Sequence, residues 1–396
     1  MQATNVLSWQ LATTGSSTFT EETFPPLDNH PLRETWIIKS SDGNEVIARL
    51  PGAVIAAIPA YWVLGSEEFS AVPGGMTAAV LTAISVSLFA LTLRDRLARR
   101  DVAISSLIFG LSTPVWSVAA DGMWPHTITV FGICGMSWAA SRERWWLVGL
   151  FGGVAIWGRL HVAIIVALVG LWVGLKRRDV SVVWRVGIGS SALLALTSVW
   201  SKSLYGSWSL TASYGIAVGD NPFNTEGSGL ANQLGFLVSL DRGLLVWTPI
   251  IVLLAPALSR NWRSLPDWSR SLVWGGIAYT VVQGMRNPFG GADSFYGYRL
   301  TLELLACPSP ALAMSSPLMG RYARLAFGPV LAFQTLVISV GAVSGNLGSL
   351  AEDAWATHTL LSGLAQVPLF LFGFLVACVC IGLLGQRILS DPALEK

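Results

Sequence analysis

The chain of 396 residues carries 12% charged and 53% hydrophobic residues, with 18 Trp and a mean hydropathy of +0.57. A water-soluble chain would have roughly 25% charged residues, so water is not its main solvent. The net charge of +2 is too small for a nucleic-acid partner, and the basic residues fall in short clusters between apolar runs.

The first 70 residues lack long apolar runs, apart from Leu50–Gly65, which holds Pro51 and Pro59. This stretch is short for a span, and we expect an amphipathic interfacial helix over 50–65 within a first extracytoplasmic loop, residues 1–72. From Pro73 onward the chain reads as one transmembrane domain, 73–396. Apolar segments fall at 73–93, 103–118, 124–141, 145–158, 161–175, 182–201, 244–258, 270–285, 300–316, 325–343 and 367–387. Several are shorter than the roughly 20 helical residues that a bilayer core requires, and the pattern predicts an all-α polytopic membrane protein of about 10–11 transmembrane helices. Cys134, Cys307, Cys378 and Cys380 lie inside these segments without metal-ligand spacing, which makes them small apolar packers.

Basic clusters occupy every second connection: Arg94, Arg96, Arg99 and Arg100, then Arg142 and Arg144, Lys176 to Arg178, Arg260, Arg263 and Arg270, and Arg321 and Arg324. The positive-inside rule makes these connections cytoplasmic. The loops at 119–123, 202–243, 286–299 and 344–366 are then outside, and the C-terminus is cytoplasmic. The helix at 73–93 would run inward, which leaves residues 1–72 outside with no apolar segment before them.

The outer loops collect glycines, aromatic rings and arginines, which allow close backbone approach, contact with sugar faces, and forked hydrogen bonding to phosphate. The 202–243 loop contains Tyr205-Gly206, Tyr214-Gly215 and Asp241-Arg242-Gly243; the 286–299 loop runs through Gly290-Gly291 and Asp293 to Tyr298-Arg299. Arg159, Arg242 and Arg299 share one predicted side, and an arginine at the mouth of a membrane bundle needs a partner. An anionic ligand is one such partner. Lipid headgroups, or acids such as Asp241 and Asp293, are another. Asp121, Trp124 and His126 mark a further outer helix mouth, where the histidine is either an ordinary hydrogen-bonding residue or a ligand contact; His161 follows Arg159 at another. The sequence has no Walker loop, no His-Glu-x-x-His and no Gly-x-Ser-x-Gly, which argues against soluble-style nucleotide or protease chemistry.

These loops resemble those of the GT-C fold glycosyltransferases that use polyprenyl-phosphate sugars, a group related to protein O-mannosyltransferases. Asp42-Gly43 through Ala48-Arg49-Leu50-Pro51-Gly52 is similar to the stretch that leads into that family's interfacial helix. Gly110 through Pro114-Val-Trp116, and Trp124-Pro125-His126, look like its next helix pair. Asp241-Arg242-Gly243 through Pro249 and Gly290-Gly291 through Gly297-Tyr298-Arg299 resemble its later outer segments.

The resemblance implies a GT-C-like bundle with interfacial helices in the cell membrane. It also implies transfer of a sugar from a polyprenyl-phosphate carrier to a glycan, lipid or protein hydroxyl outside, with no certain cofactor and room for a divalent cation. It places donor-phosphate binding on Arg299, Arg242 and Arg159, and the substrate cavity around Asp121, Trp124, His126, Tyr214 and Tyr298. The family's first outward helix has no counterpart here, so its catalytic acid is expected at or before Met1. Glu21, Glu22 and Asp28 align with no motif. A non-catalytic or truncated GT-C-like membrane partner fits the same features, and a transporter or lipid flippase remains a third class, although no internal repeat supports it.

Overall fold

The computed structural model describes residues 1–20, 24–29, 33–65, 68–214, 229–291, 295–344, 354–356 and 358–359. Its elements are α1 (Gln2–Thr13), α2 (Pro25–Asp28), α3 (Arg33–Trp36), β1 (Ile37–Lys39), β2 (Glu45–Ile47), α4 (Pro51–Leu64), α5 (Val72–Leu93), α6 (Arg99–Leu111), α7 (Pro125–Ser141), α8 (Trp145–Gly158), α9 (Ala163–Arg177) and α10 (Val180–Tyr205). They continue as α11 (Leu230–Val238), α12 (Leu244–Trp247), α13 (Ile250–Asn261), α14 (Asp267–Arg286), α15 (Leu302–Ala306), α16 (Ser309–Ser315) and α17 (Arg321–Ser344). Among the described residues the fold is helical apart from one small antiparallel hairpin, β1–β2, with Ile38 opposite Val46.

Among the described residues, four helices are long and apolar enough to cross a membrane: Val72–Leu93, Leu160–Arg177, Val180–Tyr205 and Arg321–Val343. The apolar helices Pro51–Leu64, Trp145–Gly158 and Ile250–Asn261 are shorter. Prolines explain where expected spans are broken. The 103–118 segment ends as an α-helix at Leu111 and resumes, after Pro114, as a π-helical turn at Val115–Ala120. Pro249 separates α12 from α13, and Pro308 separates α15 from α16. Each lacks an N–H and crowds the preceding turn, which disfavours helix continuation, although α4, α13 and α17 run through Pro59, Pro256 and Pro329. The 367–387 segment, Cys378, Cys380, Glu21, Glu22, Asp293 and much of the 202–243 and 344–366 loops lie outside the described residues.

The chain divides into two compact units, Met1–Ser85 with Ala119–Asn224, and Val86–Val118 with Thr225–Lys396. In the first unit α8 packs against both α7 and α10. A Cβ on Gly149 would lie 3.0 Å from the Gly189 Cα and 2.6 Å from the Val186 carbonyl oxygen, so the α8 and α10 backbones touch at this crossing. Small residues allow such an approach where lipid offers no hydrophobic drive between helices, leaving dispersion contacts as the main attraction. Asp179 caps α10 by accepting the Ser181 N–H at 2.9 Å, and Gly206 ends it in the left-handed region.

Helix α1, which the sequence did not suggest, packs on α4. Val6, Leu7, Leu27, Ile37, Ile47 and Val54 form their shared core. Its buried surface also carries Thr4, Asn5, Ser8 and Gln10. Ser8 Oγ donates to the carbonyls of Thr4 at 2.8 Å and Val54 at 3.1 Å. The helix expected to be amphipathic at 50–65 is α4, yet it is apolar all round: Val54 and Ala57 are buried, while Ile55, Trp62 and Val63 are exposed.

In the second unit, Ile250, Leu254, Leu312, Met319, Phe327 and Leu331 form a core among α13, α16 and α17. Gln334 repairs two breaks at once. Its Nε2 donates to the Ser112 carbonyl at 2.5 Å, just past the end of α6, and its Oε1 accepts the Ile250 N–H at 3.2 Å, at the start of α13. Both backbone groups lack a helical partner at these ends, and apolar surroundings make leaving them unmet costly.

Candidate functional site

In the first unit, four segments meet at one end. The π-helical turn delivers the chain to Asp121, and Thr127 Oγ1 locks the following turn by donating to the carbonyls of Ala119 at 2.8 Å and Gly122 at 3.2 Å. Pro125 then starts α7, where a missing N–H costs nothing and its fixed φ suits the helix. A Cβ on Gly158 would lie 2.5 Å from the Pro125 carbonyl, so the end of α8 lies against the start of α7. This contact brings Arg159 to the mouth that holds Asp121, Trp124 and His126. Tyr214 joins it, its hydroxyl accepting the Leu160 N–H at 3.1 Å.

The start of α4 reaches the same end. A Cβ on Gly52 would lie 2.9 Å from the Trp157 carbonyl oxygen and from Ile128 Cγ2. Arg49, three residues earlier, is held through its backbone: its N–H donates to the Tyr205 hydroxyl at 2.9 Å, and its carbonyl accepts from Tyr205 at 2.8 Å and Trp200 Nε1 at 3.0 Å. Its guanidinium lies 5.6 Å from the centroid of the Trp36 ring. Desolvation, partly offset by Tyr205, pulls the Arg49 pKa down to about 10. The Met1 side chain packs at Gly122.

Each residue at this end has a distinct exposure. Asp121 keeps an exposed face, though desolvation by the surrounding protein raises its carboxyl above the ordinary carboxylate range. Trp124 and His126 are buried, while Arg159 and Tyr214 are half-buried.

The second unit holds Arg242, Tyr298 and Arg299. Arg242 is 1% exposed and pairs with the fully buried Asp241 at 3.2 Å. Its Nη1 also donates to the carbonyls of Phe295 at 3.2 Å and Gly297 at 3.0 Å. Arg242 therefore secures the 295–299 loop, where Gly297 adopts a φ of +96° that side chains resist. Asp241 accepts the Thr359 N–H at 2.6 Å and the Thr359 hydroxyl as well, while Trp247 Nε1 donates to the Asp241 carbonyl at 2.9 Å.

Arg299 is half-buried, with its guanidinium 4.7 Å from the centroid of the Phe295 ring; the Arg242 guanidinium lies 4.0 Å from the same centroid. Tyr298 is buried, its hydroxyl 2.7 Å from Thr248 Oγ1, and burial raises its phenol so that it stays protonated. Asn232 on α11 steadies the preceding loop by donating to the Gly284 carbonyl at 2.7 Å and accepting the Phe289 N–H at 2.6 Å. Among the described residues, no group of three or more His, Cys, Asp or Glu side chains could hold a metal ion.

Sequence reasoning placed Arg49 in a motif but not in the site. The signal available was Ala48-Arg49-Leu50-Pro51 ahead of an apolar helix, the same helix-mouth context that singled out Arg159.

No protein-family model matches this chain, and no curated protein matches it. Among solved structures, a crystal structure of ArnT from Cupriavidus metallidurans in the apo state is similar. It has a TM-score of 0.49 and 15% identity, covering 98% of this chain and 70% of that chain. That likeness is too slight to transfer any residue's role.

Proposed function

We propose that this chain is a multi-pass membrane glycosyltransferase with a GT-C-like fold, which moves a sugar from a polyprenyl-phosphate carrier to an acceptor hydroxyl at the outer face. The observation that carries this reading is the meeting of Asp121, Trp124, His126, Arg159 and Tyr214 at one end of the first unit, drawn from segments far apart in sequence. A carboxylate, a cation and aromatic rings at a helix mouth are the groups that sugar transfer between a lipid phosphate and a hydroxyl requires.

In the reaction, the acceptor oxygen attacks the anomeric carbon as its proton passes to a base. The bond from that carbon to the phosphate oxygen breaks on the opposite side, and polyprenyl phosphate leaves with the electron pair. Asp121 is the carboxylate suited to receive the proton, since desolvation raises its basicity. Two guanidinium groups are candidates for the donor phosphate, each judged within its own unit: Arg159, grouped with Asp121 in the first, and Arg299 in the second; a guanidinium stabilises the charge gathered on the departing phosphate. The half-buried Tyr214 is the ring open to a sugar or acceptor, while the buried Trp124 and His126 back this mouth from within. Arg242, enclosed by Asp241 and two carbonyls, supports the reaction by fixing the backbone that carries Tyr298 and Arg299.

Replacing Arg299 with alanine, assayed against a panel of radiolabelled polyprenyl-phosphate hexoses and pentoses, is expected to lower transfer by about 10²–10³-fold. The thermal unfolding profile should stay close to wild type. Undiminished transfer in the folded variant would remove Arg299 from this role. A polyprenyl-phosphate sugar that binds the wild-type protein but is never turned over would favour the non-catalytic partner reading.

A further inference from the structure

A cavity of about 90 Å³ in the second unit lies between α6, α13 and α16, walled by Ile104, Ile108, Leu254, Ala313 and Phe327. Its lining is largely apolar, and a space of that kind gives water few partners. One end is closed by the turn at 316–320, with Ser316 and Met319 in the wall. Two arginines grip this turn. Arg260 Nη1 donates to the Leu318 carbonyl at 2.9 Å, and Arg324 donates to the carbonyls of Met319 at 3.1 Å and Pro317 at 2.9 Å.

Further basic residues adjoin these segments in the sequence. Arg321 and Arg263 are exposed, as are Arg99 and Arg100 on the first turn of α6, whose Asp101 lines the cavity. Asp101 is an acid in the first turn of a helix, where the helix dipole favours a carboxylate, so its presence needs no ligand. Tyr322 is 85% exposed beside Arg321, the behaviour of an aromatic ring at a headgroup boundary.

We propose that this cavity is a binding site for an anionic glycerophospholipid, with part of one acyl chain among the α6, α13 and α16 side chains and the phosphate against the arginine rim. Charge complementarity selects this occupant: the apolar trough suits any lipid chain, but the surplus of guanidinium groups at one end suits a headgroup with net negative charge. The site lies wholly within the second unit and does not depend on the transferase reading.

The test uses the full chain, purified in detergent and incubated with an equimolar mixture of dioleoyl phosphatidylglycerol and dioleoyl phosphatidylcholine, with retained lipid measured by native mass spectrometry. Phosphatidylglycerol should be retained preferentially. Arg263→Gln and Arg321→Gln, both at exposed positions, should each cut that preference roughly fivefold. Ser105→Trp, which fills the cavity from α6, should lower retention of both lipids while thermal unfolding stays cooperative. A diazirine on the acyl tail of the phosphatidylglycerol should crosslink to α6, α13 or α16. Equal retention of the two lipids would overturn the proposal. So would unchanged retention in a folded Ser105→Trp protein, or crosslinks confined to other helices.

Discussion

Replacing Asp241 with alanine removes the carboxylate that pairs with the buried Arg242 guanidinium. Both residues are essentially inaccessible, at 0% and 1% exposure, so solvent cannot take over the lost interaction. Removing one member of such a pair costs about 3–5 kcal/mol. The same substitution removes the acceptor for the Thr359 N–H and hydroxyl. At roughly 2–4 °C per kcal/mol, the midpoint of thermal unfolding in detergent should fall by on the order of 10 °C. The paired substitution Asp241→Leu with Arg242→Met removes both charges and should recover part of that loss, because an apolar pair needs no desolvation, while Thr359 and the Phe295 and Gly297 carbonyls stay without these partners. A midpoint for Asp241→Ala within a degree or two of wild type would refute the buried-pair account. A double variant as unstable as the sum of its singles would refute it too.

Three further outcomes follow from the same geometry. Gly149→Val drives two methyls into the Val186 carbonyl and the Gly189 backbone, and should destabilise the α8–α10 crossing by about 1–3 kcal/mol, read as a lower unfolding midpoint. His358 stacks on Trp247 with ring centroids 4.5 Å apart, and burial lowers its pKa, with Arg242 lowering and Asp241 raising it to lesser degrees. The folded state thus holds this proton less tightly than the unfolded chain, whose histidine titrates near 6.5. Its contribution to stability is present above that pH and is lost as pH falls through the lower folded value, and His358→Gln should flatten this part of a pH-dependent unfolding series. For Asp121, a raised carboxyl predicts that transfer falls as acid protonates it, with a midpoint above the ordinary carboxylate range; Asp121→Asn should abolish transfer along with that limb. A pH–rate profile whose acid limb survives in Asp121→Asn would contradict the assignment.

The helical class and most helix positions were legible in the sequence because long apolar runs are themselves the signal: 124–141 and 145–158 became α7 and α8 nearly residue for residue. Helix α1 was not, since its buried surface carries Thr4, Asn5, Ser8 and Gln10, and a polar surface packed on protein looks like a polar loop. The proline breaks at 114, 249 and 308 were visible as letters, but whether a proline kinks or ends a helix depends on partners such as Gln334, more than 80 residues away from Ile250. Arginine placement tells a similar story. Arg159, Arg242 and Arg299 look alike at a helix mouth, and only three-dimensional contacts separate Arg242, enclosed by Asp241 and the 295–297 carbonyls, from the half-buried pair. The grouping of Asp121 with Arg159 rests on the contact of Gly158 with Pro125, which no local pattern announces.

The most direct test of the central claim is to reconstitute the wild-type chain in vesicles with polyprenyl-phosphate sugars and a lipid or glycan hydroxyl acceptor. Release of polyprenyl phosphate and the anomeric configuration of the product would then be followed by phosphorus and proton NMR. Polyprenyl phosphate should be released in step with a glycosylated acceptor of inverted configuration, and neither product should form with Arg299→Ala. Carrier and sugar recovered still joined across the whole donor panel, from protein that unfolds cooperatively, would contradict the central claim.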